Sequence, residues 1–524
     1  MWTGGRRYYT SGGVGDSLRP LLSPRIPGLL GARTWPDAGE GVDHVLSALM
    51  LDATRGGGVD GSRKHSTAGR AAHLAGFAMI AALAGLGVRP GPGNAEETVL
   101  VYQWSSRSLQ LRDGSPVVVD TTRTDVTLCL GDTYFKFFDR DHIWVYDFKR
   151  ERVQRVDPRA RTYGDWSLYG FVAFNHLELA RRSGDSGSNR KAPPGVSIRE
   201  LEALFGMTSR RVKPHANEAL IDSSNRREAW VAINGQLSTS ALPSPHVLSP
   251  PRARMFELFL LYRGHLHPSA RAAVVALGHV PKVLYSRWQD EGETRVLLEL
   301  KQVTSAPENT DPTAGCRHED LTDPAFATLQ ERLRTSRDRC SDSAQAAGIA
   351  AARDIETRSL ESGHYLEAHL ARVERSSWDC DSTAPKAWPA DVQQRARTDT
   401  LLQAFLGAAN RSSATPVRRM ELLRASANDS LEMGYMIEFE GARLYTSMGD
   451  FQHGISLTQS ALRYSACALD GWMDLYRAYL GTHQTVLAWL CLDLVREVGG
   501  PDCAVLGDGR RFEKELLARH PEFF

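Results

Sequence analysis

The sequence lacks a net charge of either sign. It has 63 lysines and arginines against 62 aspartates and glutamates, which leaves a formal charge of +1. A protein that binds nucleic acid through a broad basic surface needs an excess of positive charge. We therefore predict no nucleic-acid partner. Hydrophobic residues make up 42% and charged residues 24% of the chain, a composition that favours a soluble globular protein and disfavours a multi-span membrane protein.

Recognisable catalytic motifs are missing as well. The chain has no Walker-type phosphate loop, no HExxH zinc motif, no GxSxG nucleophile elbow and no EF-hand loop. His265 and His267 have the spacing closest to that of a metal site, but no cysteine or carboxylate lies close to them in the sequence. We therefore predict no catalytic residue, no metal and no cofactor.

Closely spaced cysteine pairs are also absent. Seven cysteines occur and none has CxxC spacing, which excludes zinc ribbons and thioredoxin-like redox chemistry. Cys316, Cys340 and Cys380 lie in or near polar stretches and are the candidates for disulfide bonds. We expect the cysteines in apolar surroundings to be small buried residues. These are Cys129, Cys467 and Cys491. An odd total leaves at least one thiol unpaired.

The first 95 residues do not have the pattern of a domain. Residues 1–60 are rich in Gly, Arg, Pro and Ser, so we expect them to be disordered. A further hypothesis is that translation starts near Val59, so that these residues are not translated. Residues 61–95 combine basic residues, an uncharged apolar run and small residues before Glu96, the layout of a signal peptide. This predicts a periplasmic or secreted protein. An uncleaved membrane anchor over residues 71–88 and a buried helix are the alternatives.

Residues 96–305 predict a β-rich domain, since short β-branched and aromatic segments alternate with turn residues. The segments are 98–104, 116–119, 126–130, 134–138, 143–148, 153–157, 283–288 and 295–303. The segment from Ile143 to Asp165 (IWVYDFKRERVQRVDPRARTYGD) resembles paired strands of the half-barrel in bacterial periplasmic lipoprotein carriers. This resemblance implies a curved antiparallel sheet wrapped around one or two helices.

The aromatic residues of this region allow two interpretations. In the first, they form the core, because alternate residues of a strand face the same side. In the second, Phe135, Phe137, Trp144 and Tyr146 line an apolar groove for a lipid-like or peptide ligand, since ligand sites are mostly apolar. The sequence leaves both open.

The C-terminal part predicts helices with an internal repeat. Residues 306–343 are a polar linker with one short helix, and residues 344–524 are dominated by helix formers. Two segments align at an offset of 34, which places Tyr445 on Tyr479 and Gly454 on Ala488. This pattern resembles tetratricopeptide repeats, which stack helical hairpins. Such arrays typically bind a peptide or protein on the first helix of each hairpin, where the polar positions are Glu440, Arg443, Asp474 and Arg477.

The overall expectation is an α+β protein with an N-terminal antiparallel, half-barrel-like domain and a C-terminal tetratricopeptide-like domain. We expect a non-enzymatic, exported binding or scaffolding protein of the bacterial cell envelope. The helical repeats would hold a protein or peptide partner, and the sheet offers a place for an apolar ligand. The alternative is a hydrolase whose site lies between the two domains. Contact with a membrane is expected only if residues 71–88 remain as an anchor.

Overall fold

The computed structural model describes most of the chain from residue 96 onward. The described residues are 96–112, 115–139, 141–184, 197–209, 212–290, 292–308, 311–321, 323–378, 380, 387–409, 418, 422–423 and 431–524. The predicted disordered segment and signal peptide, and with them the alternative anchor over residues 71–88, lie outside these residues. Strand β1 begins at Glu96, the residue that the predicted cleavage would expose.

One twelve-stranded sheet forms the N-terminal part of the described chain. Its spatial order is β12-β6-β5-β4-β3-β2-β1-β11-β10-β9-β8-β7, and every neighbouring pair is antiparallel except β12 and β6. The strands are β1 Glu96–Arg112, β2 Ser115–Leu130, β3 Tyr134–Phe138, β4 Ile143–Asp147, β5 Arg152–Asp157, β6 Thr162–Ser167, β7 Leu220–Asp222, β8 Ala229–Ile233, β9 Gln236–Pro243, β10 Pro281–Gln289, β11 Glu293–Pro307 and β12 Arg317–His318.

Fourteen α-helices occur among the described residues, and most follow the sheet in sequence. They are α1 Leu168–Arg182, α2 Ile198–Phe205, α3 Pro250–Arg263, α4 Pro268–Ala276, α5 Ala327–Arg339, α6 Asp342–Glu361, α7 Tyr365–Ser377, α8 Ala390–Ala396, α9 Thr400–Ala409, α10 Tyr435–Ser447, α11 Phe451–Ala461, α12 Leu469–Gly481, α13 Thr485–Gly499 and α14 Gly507–Arg519. The predicted α+β fold class, β-rich first and helical second, is confirmed. None of these helices combines the length and apolar composition needed to cross a bilayer.

Strands β1 and β2 form a long hairpin that differs from the prediction. The sequence predicted separate strands at 116–119 and 126–130, whereas β2 runs unbroken through both. Val119 has no residue opposite it in β1, because Ser108 pairs with Asp120 and Leu109 with Val118. This is a β-bulge, which bends and twists the strand locally.

Helix α2 begins where the sequence signals a cap. The Ser197 side chain accepts a hydrogen bond from the backbone N–H of Glu200, which satisfies one of the free donors at the helix start. Gly206 follows the helix with φ of 63°, a left-handed conformation that glycine adopts without steric cost. Both ends of this short helix are therefore set by local sequence.

The 34-residue repeat appears directly in the helix boundaries. Helices α10 and α11 start at Tyr435 and Phe451, and α12 and α13 start at Leu469 and Thr485, each 34 residues later. In the first hairpin, a Cβ added to Gly454 of α11 would lie 2.4 Å from Thr446 Oγ1 of α10. Small residues at this position therefore let the second helix approach the first.

Ala488 occupies the same position in the second hairpin and is fully buried. We expect Ala488→Leu to lower the free energy of unfolding by about 2 kcal/mol, because a close-packed contact has no space for three more carbons. Chemical denaturation of the full chain measures the change. Ser460→Leu in the neighbouring helix is the control; it is only partly buried, so the effect should be smaller. An unchanged unfolding midpoint for Ala488→Leu would contradict the repeat register.

Two disulfide bonds brace the helical part. Cys340, after α5, is bonded to Cys467, before α12, and Cys380 is bonded to Cys503. The prediction that Cys467 is an unbonded apolar residue is therefore wrong: it is buried, but its sulfur faces Cys340. Cys129 and Cys491 are buried free thiols as expected. Cys316, a predicted candidate for a disulfide bond, is instead a partly buried free thiol.

The segment predicted as a linker, residues 306–343, contributes a strand to the sheet and a helix to the helical part. Arg317 and His318 form β12, which pairs in parallel with β6, and α5 lies against α13 and α11. The chain end also joins the layers. Tyr262 of α3 donates a hydrogen bond to the carbonyl oxygen of Phe523 at 2.9 Å, and the Phe523 ring packs on Tyr262.

Candidate functional site

The four aromatic residues predicted to line a groove lie side by side on one face of β3 and β4. Phe135 pairs across the strands with Tyr146, and Phe137 with Trp144. We call these four residues the aromatic layer. All four are buried, so the structure places them in the core of the β-rich part.

Helix α3 covers the aromatic layer. The Phe259 ring lies 5.9 Å from Phe135 and 5.7 Å from Phe137, and the Tyr262 ring lies 5.0 Å from Tyr146, measured between ring centroids. Of the two interpretations that the sequence left open, a packed core fits these residues and an open groove does not, because another segment of the same chain packs against them. Any ligand at this face has to fit between α3 and the sheet.

Arg263, the last residue of α3, enters the aromatic layer. Its guanidinium carbon lies 4.4 Å from the Trp144 ring centroid, 5.4 Å from Phe137 and 5.6 Å from Tyr146. Burial raises the pKa of Tyr146, while the positive charge of Arg263 acts in the opposite direction. The layer is therefore a set of aromatic rings around one buried cation, a feature that was not predictable from the sequence.

The four charged residues predicted to contact a partner lie together on the first helices of the two hairpins. Arg443 of α10 contacts Glu440 at 2.7 Å and reaches across to Asp474 of α12, also at 2.7 Å. Arg477 of α12 contacts Asp474 at 3.0 Å. The structure therefore joins all four side chains in one network.

This network continues into α14. Asp508 and Arg511 lie 34 residues after Asp474 and Arg477, and Arg477 reaches Asp508 at 3.1 Å. The same acid–arginine pair thus occurs on three alternate helices, α10, α12 and α14. We call this set the charge ladder: Glu440, Arg443, Asp474, Arg477, Asp508 and Arg511. The last two were missed in the sequence, although the 34-residue offset identifies them.

The inner part of the ladder is held as fixed ion pairs. Burial by itself would lower the pKa of Arg443, but Asp474, Glu440 and Asp470 outweigh it and raise that pKa well above its usual value. The same acid–arginine arrangement raises the pKa of Arg477. Both arginines therefore stay cationic, and their charges are used within the chain to join neighbouring helices.

A small polar cavity of about 160 Å³ lies between the sheet and the helices. It is lined by Arg150, Glu151, Arg152, Ser167, Tyr169, Asp493, Arg496 and Glu513. Arg152 of β5 contacts Asp165 of β6 at 2.8 Å and Asp493 of α13 at 2.6 Å. Arg152 therefore ties the two parts of the fold together at this cavity.

The cavity stands where the hydrolase alternative places a site. Burial raises the pKa of Asp493, although Arg152 and Arg496 act against that rise. Arg496 contacts both Asp493 and Glu513, and Tyr169 donates a hydrogen bond to Glu151 at 3.2 Å. The eight lining residues include no histidine or cysteine. Their charges are matched, and the arrangement suits domain contact or binding of a small polar group.

The two histidines with metal-like spacing contact different groups. His267 is buried, lies 3.2 Å from Glu202 and accepts a hydrogen bond from the backbone N–H of Ser269 at the start of α4. His265 Nδ1 lies 3.1 Å from the carbonyl oxygen of Leu204. Within the described part of the chain, no three His, Cys, Asp or Glu side chains converge as a metal site would require.

Comparison with known proteins adds little to this geometry. No protein-family model matches the chain, and no curated protein matches it. Among solved structures it is similar to a chain described as "Lipid-protein interactions in lipovitellin", with 9% identity and a TM-score of 0.15. That alignment covers 81% of this chain and 54% of the lipovitellin chain, so this chain spans about half the length of its match. A TM-score this low carries no argument.

Proposed function

We propose that this chain is a non-enzymatic, exported binding protein whose tetratricopeptide-like helices hold a protein partner. The observation that carries the proposal is the charge ladder, which repeats on three stacked helices and ends with an open rung. Arg443 of α10 contacts Asp474 of α12, and Arg477 of α12 contacts Asp508 of α14. Arg511, on the last rung, contacts only its own neighbour Asp508 among the described residues, at 2.8 Å.

The open rung specifies the chemistry of a partner. The Arg511 side chain is 69% exposed, so its charge is free to meet an acidic group from outside. An acidic residue on a partner helix beside α14 would continue the ladder in the same register as Asp474 and Asp508. Ion pairs at an exposed rim contribute mainly to the rate and specificity of association, and they weaken as salt increases.

The disulfide bonds support the export part of the proposal. Disulfides form and persist in oxidising compartments such as the periplasm and the extracellular space. Two of them close long segments of the helical part, at Cys340–Cys467 and Cys380–Cys503. The predicted signal peptide over residues 61–95 gives the same location independently.

Charge reversal at the open rung tests the partner. We expect Arg511→Glu to lower the capture of one or more envelope proteins by about 10-fold relative to the natural sequence, as loss of one ion pair and gain of a repulsion imply. The measurement is quantitative mass spectrometry of proteins retained from an envelope extract. Reversal of the matching acid in the captured protein should restore binding to Arg511→Glu.

Arg395→Glu is the matched control, since Arg395 is also an exposed helical arginine with an acid, Asp391, one turn away. This variant should retain the same proteins as the natural sequence. Equal capture by Arg511→Glu and the natural sequence would refute the role of the ladder in binding.

A further inference from the structure

Arg263 differs from the other buried arginines in its partners. Arg263, Arg271 and Arg287 are the three arginines with less than a tenth of their surface exposed among the described residues. Arg271 lies 3.7 Å from Glu257, and Arg287 lies 3.1 Å from Glu293. Arg263 forms no ion pair with any carboxylate in the described part of the chain. A buried charge without an opposite charge is unfavourable, so the burial of Arg263 needs a compensating interaction.

The unpaired atoms of Arg263 form a defined pattern. Nε and Nη2 are both buried and have no hydrogen-bond acceptor among the described residues. These two nitrogens belong to one edge of the planar guanidinium, and their N–H bonds run parallel. That edge matches the two oxygens of a carboxylate, or two oxygens of a phosphate, in a bidentate contact.

The aromatic rings around Arg263 do not satisfy these donors. A cation stacked on a ring interacts through the face of the guanidinium, whereas the N–H bonds lie in its plane. Stacking on Trp144, with Phe137 and Tyr146 nearby, therefore stabilises the charge but leaves the Nε–Nη2 edge without acceptors. Buried donors of this kind normally have a partner, which here would come from outside the described chain.

We propose that Arg263 binds the carboxylate or phosphate group of an apolar, chain-bearing anion between helix α3 and the sheet. The anionic group would accept hydrogen bonds from Nε and Nη2. The apolar chain follows from the surroundings, because the guanidinium lies among the rings of Phe137, Trp144 and Tyr146 and its one polar neighbour among these is the hydroxyl of Tyr146. This site does not depend on the protein partner of the charge ladder.

Calorimetric titration of the full chain with four compounds tests the site. The compounds are sodium decanoate, decanol, sodium acetate and inorganic phosphate. We expect decanoate to bind and decanol to bind at least about 10-fold more weakly, since a charge-assisted hydrogen-bonded pair contributes a factor of this size or more. Binding of acetate or phosphate as tight as that of decanoate would overturn the apolar chain and assign the site to a free oxyanion.

Substitutions at Arg263 separate a binding role from a packing role. Arg263→Met keeps much of the side-chain volume and removes the charge; it should fold and bind decanoate at least about 10-fold more weakly. Arg263→Lys keeps the charge without the two-pronged edge and should also bind more weakly. Arg155→Met is the matched control, because Arg155 also stacks on Trp144, at 5.9 Å; it should bind decanoate as the natural sequence does.

Three further results would overturn the proposal. The first is equal decanoate affinity in folded Arg263→Met and the natural sequence. The second is equal affinity of the natural sequence for decanol and decanoate. The third is the absence of heat and of any rise in thermal melting temperature with all three anions, a measurement on the natural sequence that holds even if Arg263→Met fails to fold.

Discussion

Replacement of Cys340 with serine is expected to lower the free energy of unfolding by about 4 kcal/mol, because the Cys340–Cys467 bond closes a loop of 127 residues. A cross-link over so long a loop removes many conformations from the unfolded chain. The Cys380–Cys503 bond spans 123 residues, so Cys380→Ser should have a similar effect. The two loops overlap in sequence, so each bond shortens the loop that the other closes, and the double variant should lose more than the sum of the two single losses.

Denaturant unfolding of the two variants measures this effect, with Cys316→Ser as the control. Cys316 is a free thiol, and its replacement should change the free energy of unfolding by less than about 0.5 kcal/mol. A thiol assay on the unfolded, unreduced chain should count three thiols: Cys129, Cys316 and Cys491. A count of seven, the total in the sequence, would show that neither bond forms.

Loss of Arg152 is the second large effect that we expect. Arg152→Met should lower the free energy of unfolding by about 3 kcal/mol, because it leaves the buried Asp493 with one of its two arginine partners. Asp165 also loses its contact of 2.8 Å. Since Arg152 lies in the sheet and Asp493 in α13, the variant weakens the contact between the two parts of the fold.

The same denaturant experiment on Arg159→Met provides the comparison. Arg159 contacts Asp141 at 2.9 Å, but both side chains are more than half exposed, and exposed ion pairs contribute about 0–1 kcal/mol. If the sheet and the helical part can unfold in separate steps, loss of the Arg152–Asp493 contact uncouples them. The unfolding transition of Arg152→Met should then be broader than that of the natural sequence. Equal stability of the Arg152→Met and Arg159→Met variants would show that the Arg152–Asp493 contact does not join the layers.

The strands that the sequence located best are short segments rich in aromatic and β-branched residues. Strands β3 and β4 were located to within one residue, because Phe135, Phe137, Trp144 and Tyr146 alternate with other residues at the period of a strand. The middle of β2 was missed. Residues 120–125 are polar or partly exposed, since that part of the hairpin buries neither face, and a strand without a buried face leaves no periodic signal.

The periodicity of the sequence could not predict that helix α3 packs on the aromatic layer. Alternation places Phe135 and Tyr146 on a common face but does not say which segment packs there. Residues 255–262 are apolar nearly throughout, a composition that suits a helix and a strand equally, so their role as the covering helix α3 was not predictable. The unpaired edge of Arg263 follows from that packing and from nothing local in the sequence.

The repeat was predictable, and its third copy was predictable in principle. The offset that relates Glu440 to Asp474 also leads to Asp508, and the offset from Arg443 to Arg477 leads to Arg511. The third pair lies on α14, which no further α-helix follows among the described residues. The charged positions repeat even where the apolar pattern of a hairpin stops.

The contact between Tyr262 and Phe523 has a consequence for the order in which the protein matures. The two residues are 261 positions apart, so the β-rich part, although made first, completes its packing only after the helices have been synthesised. Until then, Tyr262 lacks both the ring that packs on it and the acceptor for its hydroxyl group. Apolar surface that is covered only once the chain is complete makes an unfinished chain prone to aggregate.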